Sequence, residues 1–92
     1  MDINFISTDS SLPKLESQAI SAANIGQWEH AVRFNSLLLE QTPLDIPTLN
    51  RLGRAYTALG NLESAKQAYQ KVLDVDPQNP IATKNLNKLT YL

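Results

Sequence analysis

The composition of this 92-residue chain limits the kind of molecule it can be: one small domain, near the lower limit of what a single core stabilises, with no apolar run of membrane-spanning length. It has no cysteine, which excludes disulfides, thiolate metal sites and cysteine nucleophiles and fits a reducing cytoplasm. Eight basic and nine acidic residues leave a net charge of −1, which argues against bulk attraction to nucleic acid or to an anionic membrane.

The N-terminal segment, residues 1–11, is polar apart from Ile3, Phe5 and Ile6. We expect it to form a tail or an arm. It has no basic stretch followed by a long apolar run, so it does not have the pattern of a secretory signal.

Apolar residues at helical spacing predict helices through the rest of the chain. The first is expected over 12–24, with Ser10 or Ser11 as its cap and Pro13 in its first turn. No stretch alternates with a period of two, so a sheet is not expected. The later helices are predicted over 28–41, from the cap Asp45 to about Leu59, over 62–75, and from the cap Asn79 and Pro80 to the chain end.

A 34-residue period relates the two halves of the chain. A fixed period of this length is typical of stacked helical units, none of which buries its apolar face alone. The matching pairs are Gly26 and Gly60, Glu29 and Glu63, Ala31 and Ala65, and Pro43 and Pro77.

The second copy resembles the tetratricopeptide repeat at its signature positions. These are Leu52, Gly53, Tyr56, Gly60, Ala65, Tyr69 and Pro77. In this register a domain spans 12–92, with repeats at 12–45 and 46–79 and a closing helix at 80–92. The first repeat is weaker, with Gln18, Ala22 and Asn35 at the positions of Leu52, Tyr56 and Tyr69.

The resemblance implies a fold and a role. The fold is all-α, with antiparallel helical hairpins stacked as a short right-handed superhelical solenoid of about five helices. The family binds peptides or proteins along a concave surface lined by the first helix of each hairpin, and none of its repeats is catalytic by itself.

Residues suited to catalysis are few. His30 is the only histidine, and it lacks the partners that a metal or a catalytic pair needs. Glu29 and Glu63 suit the positive ends of their helices. With no phosphate-binding loop, metal-ligand spacing or nucleophile motif, we predict no enzyme, no metal and no cofactor.

In the family's register the concave surface has a basic C-terminal half. Its predicted partner-binding residues are Asn50, Arg51, Arg54, Lys84, Lys88 and Tyr91. Arginine and lysine suit an acidic segment or a chain-terminal carboxylate; the alternative is a solvated basic face that keeps the chain soluble. The two-carboxylate clamp of chaperone-binding members does not carry over, since Glu16 and Ile20 occupy its lysine and asparagine positions.

The chain ends in apolar residues. Leu89 and Leu92, together with Phe5 and Ile6, are candidate interface residues. Three explanations stay open: a fragment whose next domain packs here, a subunit that buries this end in a partner or in a two-fold dimer, or an end that frays.

Two functions therefore compete. The leading prediction is a cytoplasmic scaffold that holds a peptide or protein partner in the groove. The alternative is an oligomerisation or docking module of a larger protein, with the C-terminal helix as its interface. Nucleic-acid binding is disfavoured by the net charge, and Tyr91 is the only aromatic residue near the basic positions.

Overall fold

The computed structural model describes residues 3–91, with side chains from residue 12 onward. Within that range every regular element is an α-helix, and each helix packs against its neighbours in the chain. This confirms the predicted all-α fold of stacked helical hairpins. The helices are α1 (Ile3–Asn24), α2 (Trp28–Gln41), α3 (Ile46–Ala58), α4 (Leu62–Val75) and α5 (Pro80–Thr90).

Helix α1 begins at Ile3 and not near Leu12, so the predicted start is wrong. A serine before a proline permits a helix to begin, but it does not stop one that arrives from upstream, and no glycine or proline lies between residues 3 and 12. Pro13 therefore lies inside the helix, where its missing N–H removes one backbone hydrogen bond.

Two predicted interface residues, Phe5 and Ile6, fall on this early part of α1, and their side chains lie outside the described residues. Leu92 also lies outside the described residues.

The predicted caps of α3 and α5 are confirmed. Asp45 Oδ2 accepts a hydrogen bond from the Thr48 N–H at 3.2 Å, and Asn79 Oδ1 accepts one from the Ala82 N–H at 3.0 Å. Asn61 caps α4 in the same way. Each cap satisfies a donor that the first turn of its helix would leave unpaired.

Gly26 and Gly60 turn the chain within the two hairpins, as the repeat predicts. Their φ angles are +75° and +80°, in the left-handed region that a side chain disfavours. The same left-handed turn therefore connects the two helices of each hairpin, one period apart.

Small side chains occupy the contacts between helices. Ala19, Ala31 and Ala65 are fully buried, so the helices of each hairpin approach closely. Two clusters form the core. One joins α3, α4 and α5 around Tyr69, and the other consists of buried alanines of α1, α2 and α3 against which Trp28, Val32 and Phe34 pack.

The Tyr69 ring of α4 packs directly against Gly53 of α3. A Cβ atom added at Gly53 would lie 2.6 Å from Tyr69 Cζ and 2.8 Å from both Cε atoms. Only glycine leaves room for the ring there, and Tyr69 is 2% exposed as a result.

We therefore expect Gly53→Ala to lower the free energy of unfolding by about 1–3 kcal/mol, since an overpacked core must shift backbone or ring. Urea unfolding followed by circular dichroism measures the change. In a Tyr69→Leu background the same substitution should be neutral or stabilising, because alanine is the better helix former. Stabilisation by Gly53→Ala in the native background would contradict the close contact.

Candidate functional site

An open depression of about 330 Å³ lies between α3 and α5. Its volume is near the lower end of the range of roughly 300–1,000 Å³ that ligand sites occupy. Asn50, Arg51 and Arg54, three of the six predicted partner-binding residues, line it from α3. The other lining residues are Tyr69, Ile81 and Asn85.

The position of α5 creates this depression. Asn79 and Pro80 start the helix, and Ala82 and Leu89 are buried against the α3–α4 core. This placement brings Ile81 to the rim of the depression, where it stays 52% exposed.

Asn50 is the buried polar residue of the site, with 8% of its surface exposed. Its Nδ2 donates to Asn79 Oδ1 at 3.4 Å, whereas its Oδ1 has no hydrogen-bond partner among the described residues. A buried acceptor without a partner is uncommon and costly in folding free energy.

Arg51 is held within the chain. Its Nε donates to Asn35 Oδ1 at 3.0 Å and its Nη2 to Thr48 Oγ1 at 3.2 Å, while Nη2 lies 3.8 Å from Glu16 Oε2. Only 19% of the side chain is exposed. Arg51 thus joins α1, α2 and α3, and these contacts leave it little freedom to meet a partner.

Asn35 is a residue whose importance the sequence analysis missed. It is fully buried, and its Nδ2 donates to the Ala31 carbonyl at 2.8 Å. It stands one period before Tyr69, so an amide replaces the aromatic ring of the second repeat. The asparagine at an aromatic position of the repeat, together with Arg51 on the next helix, was the feature of the sequence that could have predicted a buried polar pair.

Arg54 is exposed, and its guanidinium carbon lies 5.2 Å from the centroid of the Trp28 ring. This distance fits a cation–π contact, which orients the side chain without neutralising its charge. Among residues 12–91 no carboxylate oxygen lies within 4.0 Å of Arg54. Its positive charge is therefore available at the edge of the depression.

The Tyr69 ring contributes to the wall of the depression as well as to the core. Burial raises the pKa of Tyr69 above its ordinary value of 10.0, while a hydrogen bond with the Thr57 side chain and the Arg54 charge act in the opposite direction. The phenol is therefore neutral at physiological pH.

Lys84, Lys88 and Tyr91 do not line the depression, although all three are exposed. The two lysines stand one period after Asn50 and Arg54. They differ from those residues because no further helix in the described structure covers them.

Of the predicted interface residues, Leu89 is the one whose side chain is described. It is only 5% exposed because it packs into the core with α3 and α4. Tyr91 is 85% exposed. One period after Leu49, Gly53 and Tyr56, α5 carries polar, exposed residues, namely Thr83, Asn87 and Thr90.

Other features of the described residues offer little chemistry. His30 is exposed, with its ring centroid 6.2 Å from that of Phe34. Across the described part of the chain, no three histidine or acidic side chains come together as a metal site. Nor does any described helix combine the length and apolar character needed to cross a bilayer.

Comparison with known families settles the nature of the second hairpin. The family model of the tetratricopeptide repeat matches residues 46–79, from the start of α3 to the cap of α5. The chain carries a tetratricopeptide repeat. The matched residues coincide with the second predicted repeat, and the tetratricopeptide repeat includes Asn50, Arg54 and Tyr69 of the depression.

Two relatives align with most of the length of this chain. Over 65 residues the chain is 40% identical to the Homo sapiens protein named FK506-binding protein-like, covering 71% of this chain and 19% of that protein. Over 70 residues it is 36% identical to Photosystem I assembly protein Ycf3 of Synechococcus sp. (strain WH7803), covering 73% of this chain and 40% of that protein. The chain thus spans less than half the length of either relative.

Two arginines of the tetratricopeptide repeat, one helical turn apart, are expected to differ in their effect on stability. Arg51→Ala leaves the buried Asn35 Oδ1 without its donor and should lower the free energy of unfolding by about 1–3 kcal/mol. Arg54→Ala, the matched control, removes only an exposed cation–π contact and should cost less than about 1 kcal/mol. Urea unfolding measures the free energy of unfolding of both variants. If Arg51→Ala lost as little stability as Arg54→Ala, Arg51 would not have a structural role.

The raised pKa of Tyr69 predicts a loss of stability at alkaline pH. Because the unfolded chain loses the phenol proton first, the stabilisation is fully present below pH 10.0 and declines as the pH rises toward the folded-state pKa. Urea unfolding from about pH 8 to about pH 11 should show a steeper decline for the native chain than for Tyr69→Phe. Lysine titration is common to both proteins, so parallel curves would rule out a contribution from Tyr69.

Proposed function

We propose that the chain is a protein–protein interaction module that holds an acidic segment of a partner polypeptide along α3 and α5. The observation that carries this proposal is the open depression between these helices, with the uncompensated charge of Arg54 at its edge. A groove with an available guanidinium suits a carboxylate, which arginine binds through paired hydrogen bonds.

The charge pattern along the repeat supports the acidic partner. Lys84 and Lys88 follow Asn50 and Arg54 by one period, so they extend the same surface toward the C-terminus with exposed ammonium groups. Arg51 adds little, since Glu16 and Asn35 already engage it. A relative whose name describes an assembly protein also favours a role in protein contacts.

A docking role for α5 has weaker support. Leu89 is buried, and the α5 positions that correspond to the α4-facing residues of α3 are polar. Such a face stays hydrated and is not suited to another apolar helix. We therefore propose that the free chain does not associate with itself through α5.

The remaining predicted properties are part of the same proposal. A net charge of −1 does not suit nucleic acid or an anionic membrane. The absence of cysteine suits a reducing compartment such as the cytoplasm. We propose neither a catalytic role nor a cofactor for this module.

Selection of random peptides displayed on phage tests the function. The immobilised chain is expected to enrich peptides that contain aspartate or glutamate. Arg54→Glu/Lys88→Glu should weaken their binding by more than about tenfold, because both substitutions reverse charges facing the segment.

The matched control is Arg33→Glu/Lys71→Glu, which makes the same change of charge at exposed residues of α2 and α4. It should retain binding, and light scattering should give one mass for all three proteins. If the control lost peptide binding equally, the effect would come from net charge alone. If Arg54→Glu/Lys88→Glu bound the peptides as tightly as the native chain, the groove would be excluded as the binding site.

A further inference from the structure

Arg54 is in contact with a residue that lies outside the depression. Its guanidinium carbon lies 5.2 Å from the ring centroid of Trp28, which begins α2 and does not line the depression. The lining residues come from α3, α4 and α5, whereas Trp28 belongs to the first hairpin. A side chain of the weaker repeat therefore contacts the charge on which the proposed site depends.

The Trp28 ring is itself held in place. It is half-buried and packs against the buried alanines that join the first hairpin to α3. Gly26 lies beside it in the turn, where an added Cβ atom would lie 3.9 Å from the indole Nε1. The rigid ring thus offers a fixed surface to Arg54. Without such a surface, an exposed arginine side chain samples many rotamers.

Stacking leaves the hydrogen-bonding edge of the Arg54 guanidinium free. The cation–π contact uses the face of the planar group, whereas the N–H donors lie along its edge. A carboxylate binds these donors in pairs. Trp28 therefore orients Arg54 without competing with a ligand for its donors, unlike Asn35 and Thr48, which already accept hydrogen bonds from Arg51.

The repeat period shows how Arg54 differs from Lys88. Lys88 stands one period after Arg54, and Leu62 stands one period after Trp28. Leucine has no π face, so the second repeat offers the lysine no stacking partner at this position. An ammonium group on a flexible stem attracts acidic groups as a point charge. An oriented guanidinium, by contrast, fixes where one carboxylate binds.

We propose that Trp28 is a positioning residue for partner recognition, which holds the Arg54 guanidinium over its ring so that one carboxylate of the acidic segment binds the free edge. The inference rests on the proposed function and adds to it a role for the first hairpin, which does not line the depression. Because Arg54 then loses less rotamer freedom when the carboxylate binds, the stack raises the affinity.

Calorimetric titration of peptides tests the assignment. The tightest acidic peptide from the phage selection is compared with versions in which one aspartate or glutamate is replaced by its amide. The carboxylate that meets Arg54 is the one whose replacement removes the effect of Arg54→Gln. Trp28→Leu should weaken binding of the acidic peptide by about three- to tenfold, because Arg54 must then be immobilised on binding. Trp28→Tyr keeps an aromatic face and should stay within about twofold of the native affinity.

Two controls separate positioning from folding. The amide version that lacks this carboxylate should bind Trp28→Leu and the native chain equally, and Trp28→Leu should have no further effect in an Arg54→Gln background. Phe34→Leu removes another aromatic ring that packs against the same alanines but lines a different depression. It should bind the acidic peptide as the native chain does.

The outcomes separate the two proposals. Selected acidic peptides that bind Trp28→Leu as tightly as the native chain would overturn this inference and leave the interaction function standing. Equal weakening of the acidic peptide and its amide version by Trp28→Leu would also overturn it, since Trp28 would then act only through the fold. Failure to select any acidic peptide would overturn the function and this inference together.

Discussion

The rest of the structure depends on one contact, the packing of the Tyr69 ring against Gly53. A ring placed directly over a helix backbone draws α3 and α4 together, and burial makes any larger residue at Gly53 costly. Because α5 packs on this α3–α4 core through Ala82 and Leu89, the same contact decides where α5 lies. The depression between α3 and α5 is thus a consequence of one glycine–tyrosine pair, with the tyrosine as part of its wall.

The first hairpin reaches the same arrangement by different chemistry. Ala19 and Asn35 occupy the positions of Gly53 and Tyr69, so a short amide replaces a large ring. A hydrogen bond from Arg51 then joins Asn35 of α2 to α3, whereas in the second repeat the Tyr69 ring packs on Gly53 within the hairpin. The strength of a hydrogen bond depends on its direction, and loss of either partner leaves the other buried and unpaired, which lowers stability. The packing of the ring depends chiefly on its shape. The two repeats share a fold and differ in what stabilises it.

Local signals made most of the fold predictable. The caps Asp45 and Asn79 and the turn at Gly60 act within one helical turn, so the residues themselves reveal them. The start of α1 was not predictable in this way, because nothing upstream of Pro13 breaks a helix. The site was predicted only in part. Repeat register identified the residues of α3, but the involvement of Ile81 and Asn85 depends on how α5 rests on α4, and the engagement of Arg51 depends on a partner sixteen residues earlier.

Because Arg54 stacks on Trp28, the tryptophan fluorescence of the chain depends on the position of this arginine. Trp28 is the only tryptophan of the chain, and its ring lies at the junction of the first hairpin with α3. The guanidinium that stands over the indole also lies at the rim, where we propose that it binds a carboxylate of the partner. Any ligand that moves this cation changes the surroundings of the sole indole, so unlabelled protein reports occupancy through its own emission spectrum.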